Sequence, residues 1–107
     1  MSPVQFFKCL AEETRLKTLL LISLRGELCV CDLQSALGVS QPKVSRHLAE
    51  LRKCELLCDP RRGRWVYYSL NPELPDWALN TLRETADQNG AFLKEALAAL
   101  DCCGSSC

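Results

Sequence analysis

A single glycine between two short amphipathic stretches constrains this chain more than any other feature. Residues 31–37 place Leu33, Ala36 and Leu37 on one side of a helix, with Val30 just ahead of it. Gly38 follows where a left-handed residue is needed to end that helix. Ser40 then stands as the cap of a second helix, on which Val44, Leu48 and Leu51 recur at helical spacing. Gln41, Lys43, Ser45, Arg46, His47 and Glu50 are left over the remaining surface. The spacing therefore predicts two helices joined by a three-residue, glycine-containing turn.

The remaining segments read as support for that pair. Ser2-Pro3-Val4-Gln5 is a helix start, with Ser2 as cap, Pro3 in the first turn and Gln5 able to reach back, and Phe6, Phe7 and Leu10 follow. From residue 12 to about residue 24, Leu16, Leu19, Leu20 and Leu24 share a face that Leu21 and Ile22 widen. Glu12 and Glu13 sit at the positive end of the helix dipole and Arg25-Gly26 closes the other end. After Leu56-Leu57, the run Asp59-Pro60-Arg61-Arg62-Gly63 is a turn. Residues 64–70, with Trp65, Val66, Tyr67, Tyr68 and Leu70, favour strand, so a β-hairpin with a basic tip is expected. Residues 71–76 break the chain, and a helix resumes at Pro75 or Asp76 with a weak spot at Asn89-Gly90. Beyond it Leu93, Ala96, Leu97 and Leu100 form a stripe. The expected fold is mainly α with a small β-hairpin, a winged helix-turn-helix with flanking N- and C-terminal helices. At 107 residues it makes one domain over residues 1–100, followed by a flexible Cys-rich tail over 101–107.

Charge narrows the partner. Thirteen basic residues balance thirteen acidic ones, so any basic surface is local. It is local here: residues 41–68 hold seven basic side chains against three acidic ones. A helix-turn-helix presents the N-terminal part of its second helix to a major groove. There Gln41 suits adenine, Ser45 suits several base edges, and Arg46 or Lys43 suits guanine or phosphate, with His47 a further contact. Arg61, Arg62 and Arg64 at the hairpin tip would reach phosphates or the minor groove. Double-stranded DNA is the expected partner. An enzyme is not expected, because no glycine loop that could cradle a phosphate accompanies any cysteine.

Eight cysteines in so short a chain would suggest a disulfide scaffold in a secreted protein. The start MSPVQFFKCLAEETR has no basic, apolar and small-residue succession of a signal peptide, and no run reaches membrane-spanning length. A cytoplasmic protein without membrane contact is expected, where clustered thiols serve metal binding or redox chemistry more often than stapling. Cys9, among aromatic neighbours, reads as a small core residue. Cys54 and Cys58, flanking Glu55-Leu56-Leu57, read mainly as inward packing.

Residues 6–76 closely resemble the arsenical-resistance-operon repressor (ArsR) family. The resemblance is carried by FKCLAEETRLKTLLLI, GELCVCDLQSALGVSQPKVSRHLAELR and RRGRWVYYSLNPELPDWA. It implies a dimeric winged-helix repressor that binds operator DNA without a cofactor and releases it when an inducing ion binds. Gln41, Lys43, Ser45, Arg46 and His47 fall on the family's recognition helix, residues 61–64 on its wing, and the first and terminal helices on its dimer surface. It also implies an inducer of trivalent arsenic or antimony, or methylarsenite, held by the family motif C-V-C-D-L-C. Here that motif reads Cys29-Val30-Cys31-Asp32-Leu33-Gln34, with glutamine in the third thiol's place.

Trivalent arsenic takes up to three thiolates. Residues i and i+2 of a helix point roughly 200° apart, so Cys29 and Cys31 can share an ion only if the first helical turn distorts. Cys102, Cys103 and Cys107 offer either a separate three-sulfur site or the missing ligand. Zinc sensing is disfavoured, since the one histidine, His47, lies on the recognition helix. A thiol redox repressor, oxidised at Cys29 and Cys31 or at Cys102 and Cys103, is the alternative.

Overall fold

The computed structural model describes residues 2–58 and 67–103, the last two by backbone alone. Among the described residues, six helices and two short strands follow one another. Helix α1 (Pro3–Leu10) starts as expected, with the Ser2 hydroxyl accepting from the Gln5 N–H at 3.5 Å. Helix α2 (Glu13–Arg25) is capped by the Glu12 carboxylate, which accepts from the Arg15 N–H at 2.8 Å, and ends at Gly26 with φ 92°. Leu19, Leu20, Leu21 and Ile22 are completely buried. Every other helix packs on α2, so the middle of this helix is covered on all sides and a one-faced stripe is not required of it. Leu24, expected on that stripe, lies in the last turn and is 45% exposed.

Strand β1 (Glu27–Cys29) runs directly into α3 (Val30–Leu37). No strand was expected there. Three residues are too few to show a period of two, and the strand exists only because it pairs with β2 (Tyr67–Ser69). The pairing is antiparallel, with Glu27 opposite Ser69, Leu28 opposite Tyr68 and Cys29 opposite Tyr67. On the other edge of β2, Leu57 bridges Leu70 and the Cys58 N–H donates to the Ser69 carbonyl at 3.0 Å. The described stem of the expected hairpin is thus present, at the edge of a sheet that β1 completes. The turn at residues 59–63 and the strand start at 64–66 lie outside the described residues.

Helix α4 (Gln41–Lys53) buries Val44, Leu48 and Leu51. It ends in a Schellman motif: the Leu56 N–H donates to the Leu51 carbonyl and the Glu55 N–H to the Arg52 carbonyl. Glu55 occupies the left-handed position of that motif, at φ 65°. Helices α5 (Asp76–Gln88) and α6 (Gly90–Cys103) are split at Asn89, where the weak spot was read. Leu93, Ala96 and Leu100 of α6 are buried, and α6 packs most extensively on α3. Residues 101–103, expected in the flexible tail, form the last turn of α6.

Candidate DNA-reading face and thiol site

Gly38 at φ 67° turns the chain out of α3, and its N–H donates to the Gln34 carbonyl at 2.9 Å. Ser40, in extended conformation, accepts from the Lys43 N–H at 3.4 Å and so opens α4. With Val44, Leu48 and Leu51 turned into the core, Gln41, Lys43, Ser45 and Arg46 are left exposed. These four form one polar, basic surface on the first turns of α4, the part of such a helix that meets base edges.

His47 is placed differently from its neighbours. Its side chain is only 12% exposed, and Nε2 lies 3.8 Å from the Glu12 carboxylate at the start of α2. Nδ1 is buried with no hydrogen-bond partner among the described residues. Burial, and the nearby cations Arg15, Lys43 and Arg46, hold the imidazole below its ordinary pKa against the opposing pull of Glu12. Burial by itself would raise the Glu12 carboxyl. The Arg15 N–H and the charges of His47 and Arg15 outweigh that effect and hold it below its ordinary value. His47 thus packs the recognition helix onto α2. Arg61, Arg62 and Arg64 lie outside the described residues.

The Cys29–Cys31 pair straddles the junction of β1 and α3. Cys29 is the last strand residue and the cap of the helix, with extended backbone (φ −95°, ψ 171°), and its N–H donates to the Asp32 carboxylate at 3.3 Å. It is therefore not inside the helix, which alters the expectation of two opposed helical side chains. Its side chain is buried and its sulfur is disulfide-bonded, whereas Cys31 is an exposed free thiol. Among the described residues no three His, Cys, Asp or Glu side chains gather into a metal-binding group. With Cys29 reduced, two thiolates beside a helix start would suit a thiophilic ion as part of a ligand set.

The Arg25 guanidinium at the end of α2 pairs with Asp101 at 2.8 Å, two residues before β1 begins. That contact sets the final turn of α6, with the backbone of Cys102 and Cys103, beside the strand leading to Cys29. The side chains of Cys102 and Cys103, and all of Cys107, lie outside the described residues.

Tertiary packing also joins residues that nothing in the sequence linked. Cys9 of α1 and Cys54 at the end of α4 are disulfide-bonded across a separation of 45 residues, their Cα atoms 7.2 Å apart. Burial of Cys9 agrees with its expected place in the core, whereas its bond to Cys54 has no signal in the spacing. The Glu12–His47 contact is of the same kind.

A glycine-turned helix pair with an exposed basic reading face, backed by a small antiparallel sheet, defines a winged helix-turn-helix DNA-binding regulator. Residues 12–57 match the family described as "Bacterial regulatory protein, arsR family". The arsenical resistance operon repressor of Escherichia coli K12 is 49% identical, over 97% of this chain and 92% of its own. An arsenic resistance transcriptional regulator of Pseudomonas putida is 52% identical, over 87% of this chain and 73% of its own. Among solved structures, reduced HlyU from Vibrio cholerae superposes with a TM-score of 0.70 at 30% identity, over 80% of this chain and 86% of that one. The chain belongs to the arsR family of bacterial regulatory proteins and is an ArsR-type transcriptional repressor. Its relatives are transcriptional regulators rather than enzymes. Among the described residues, no helix is long and apolar enough to cross a membrane.

Proposed function

We propose that this protein is an arsenic-responsive repressor, which binds the operator of an arsenic-resistance operon as a dimer and leaves it when trivalent arsenic or antimony is bound by cysteine thiolates. The observation that carries this reading is the position of Cys29 and Cys31. They flank the first residue of α3, the helix on which the recognition helix turns. Cys29 in its reduced form and Cys31 supply two thiolates, and Cys102, Cys103 or Cys107 the third, a reading the Arg25–Asp101 contact supports. Drawing a buried and an exposed sulfur onto one ion requires the start of α3 to shift, and α4 shifts with it. If binding weakens operator affinity about 100-fold, the coupling is on the order of 2.7 kcal/mol, and DNA weakens arsenic binding by the same factor.

Gln41, Lys43, Ser45 and Arg46 read the major groove, with Arg61, Arg62 and Arg64 on the flanking backbone. His47 supports the helix from behind. Val4 and Phe7, both exposed on α1, form with Pro3 and Ala11 an open apolar face, and this surface supports the homodimer. Two recognition helices then read half-sites roughly 34–36 Å apart. The protein acts in the cytoplasm, needing no cofactor to bind DNA.

The test is release from an operator selected out of a randomised duplex pool, followed by fluorescence anisotropy. Cys29→Ser with Cys31→Ser should keep DNA binding and lose release by arsenite. Undiminished release would move the site to the C-terminal cysteines. X-ray absorption on arsenite-bound full chain and on a chain ending before Cys102 counts the sulfurs, and an unchanged number in the shorter chain would exclude the tail. The disulfide at Cys29 favours one second reading, a redox repressor on the same fold, which peroxide would release from DNA in metal-free buffer.

A further inference from the structure

We propose that Cys9 and Cys54 form a second thiol site, a dithiol–disulfide pair that braces the recognition helix according to the oxidation state of its surroundings. Four observations carry it. The two sulfurs are bonded across the junction of α1 and the end of α4. Cys54 is the last residue before the left-handed Glu55, so the bond fixes the recognition helix where the backbone reverses. The same point is held from a third direction by Asn71, whose Nδ2 donates to the Glu55 carbonyl at 3.0 Å and whose N–H donates to the Leu56 carbonyl at 3.0 Å. Finally, Cys54 lines a polar hollow of about 140 Å³ with Gln5, Glu55, Asn71 and Glu73, through which a small oxidant reaches it.

Cys9 is 7% exposed and Cys54 is half-buried, so Cys54 reacts first. Its thiolate attacks a hydroperoxide ROOH, taking one oxygen as sulfenic acid and releasing the alcohol ROH, or water from hydrogen peroxide. The Cys9 thiolate then attacks that sulfur, forming the S–S bond and expelling the oxygen as water. Two thiols and one hydroperoxide thus give one disulfide, one ROH and one water. A reduced dithiol returns the pair by thiol–disulfide exchange.

The bond closes a loop that holds α2, α3 and α4, and with them both helices of the helix-turn-helix. An oxidised brace restricts the end of α4 before DNA arrives, so less freedom is lost on binding. Oxidation of this pair therefore tightens operator binding, opposite in sign to release by oxidation at Cys29. It involves no arsenic.

The test uses the full chain with Cys29, Cys31, Cys58, Cys102, Cys103 and Cys107 replaced by serine, leaving this pair alone. After hydrogen peroxide in metal-free buffer, thiol titration should fall from two to none, and peptide mass mapping should show Cys9 joined to Cys54 within one chain. The oxidised protein should bind the selected operator at least about threefold more tightly than the dithiothreitol-reduced protein, and Cys54→Ser, added to the same chain, should abolish the difference. Circular dichroism identifies any variant that fails to fold, for which Cys54→Ala is substituted. Retention of two thiols, linkage between chains only, or equal or weaker binding after complete oxidation would each overturn the proposal.

Discussion

Replacing Glu55 with glycine should stabilise the protein, although Glu55 is a polar, exposed residue with no side-chain part in the core. Glu55 sits at φ 65°, in the position of the Schellman motif that glycine normally fills. A side chain in the left-handed region costs about 1–2 kcal/mol, because Cβ crowds the following carbonyl. Glycine removes that cost but adds about 0.5–1 kcal/mol of freedom to the unfolded chain. The net gain is about 0.5–1 kcal/mol. The hydrogen bonds at this point are made by backbone atoms of Glu55 and Leu56, so they survive the change. Urea denaturation under reducing conditions measures it: with a slope of about 1–3 kcal/mol per molar for a small domain, the midpoint rises by about 0.5 M. Glu55→Ala is the control, since alanine has the same Cβ and should leave the midpoint nearly unchanged. If both variants moved the midpoint equally, the side chain rather than the backbone would be responsible, and the reasoning would fail.

Two further outcomes concern the reading face and its support. Lys43→Ala and Arg46→Ala should each weaken operator binding and, where the side chain meets a phosphate, lower the slope of log affinity against log salt by about one; an unchanged affinity and slope in both would remove the first turns of α4 from the interface. Because His47 titrates below its ordinary value of 6.5 in the folded protein, the unfolded chain takes up its proton first. The stability due to neutral His47 is complete above pH 6.5 and is lost as pH falls through the lowered folded value. Glu12, also lowered, adds a separate loss that begins below its ordinary 4.5. Urea midpoints between pH 7.5 and 5 should fall in the wild type and fall less in His47→Gln; parallel falls would show that another group is responsible.

Much of this architecture is written locally. Gly38, Ser40 and the stripe of Val44, Leu48 and Leu51 define the helix-turn-helix through backbone conformation, capping and periodicity, each decided within a few residues, and the cap at Ser2 and the break at Asn89 are of the same kind. Cys29 and Cys31 are marked as a candidate thiol site by their match to the family motif, a pattern held within six residues. What local order could not carry were choices made between distant segments. Strand β1 exists because Tyr67, Tyr68 and Ser69 lie alongside it, and that pairing draws Cys29 out of the helix into extended backbone. His47 reads from the sequence as one more polar side chain on the recognition helix; the packing of α4 on α2 turns it to Glu12. Cys9 and Cys54 meet, and Asp101 reaches Arg25, only once α1 and α6 have docked. The sequence by itself determined which segments are helices and which face of α4 stays polar, because those depend on conformational preferences and spacing within one element. Only the tertiary structure decided which thiols and charges share a neighbourhood, because burial and long-range contact are properties of the packed chain.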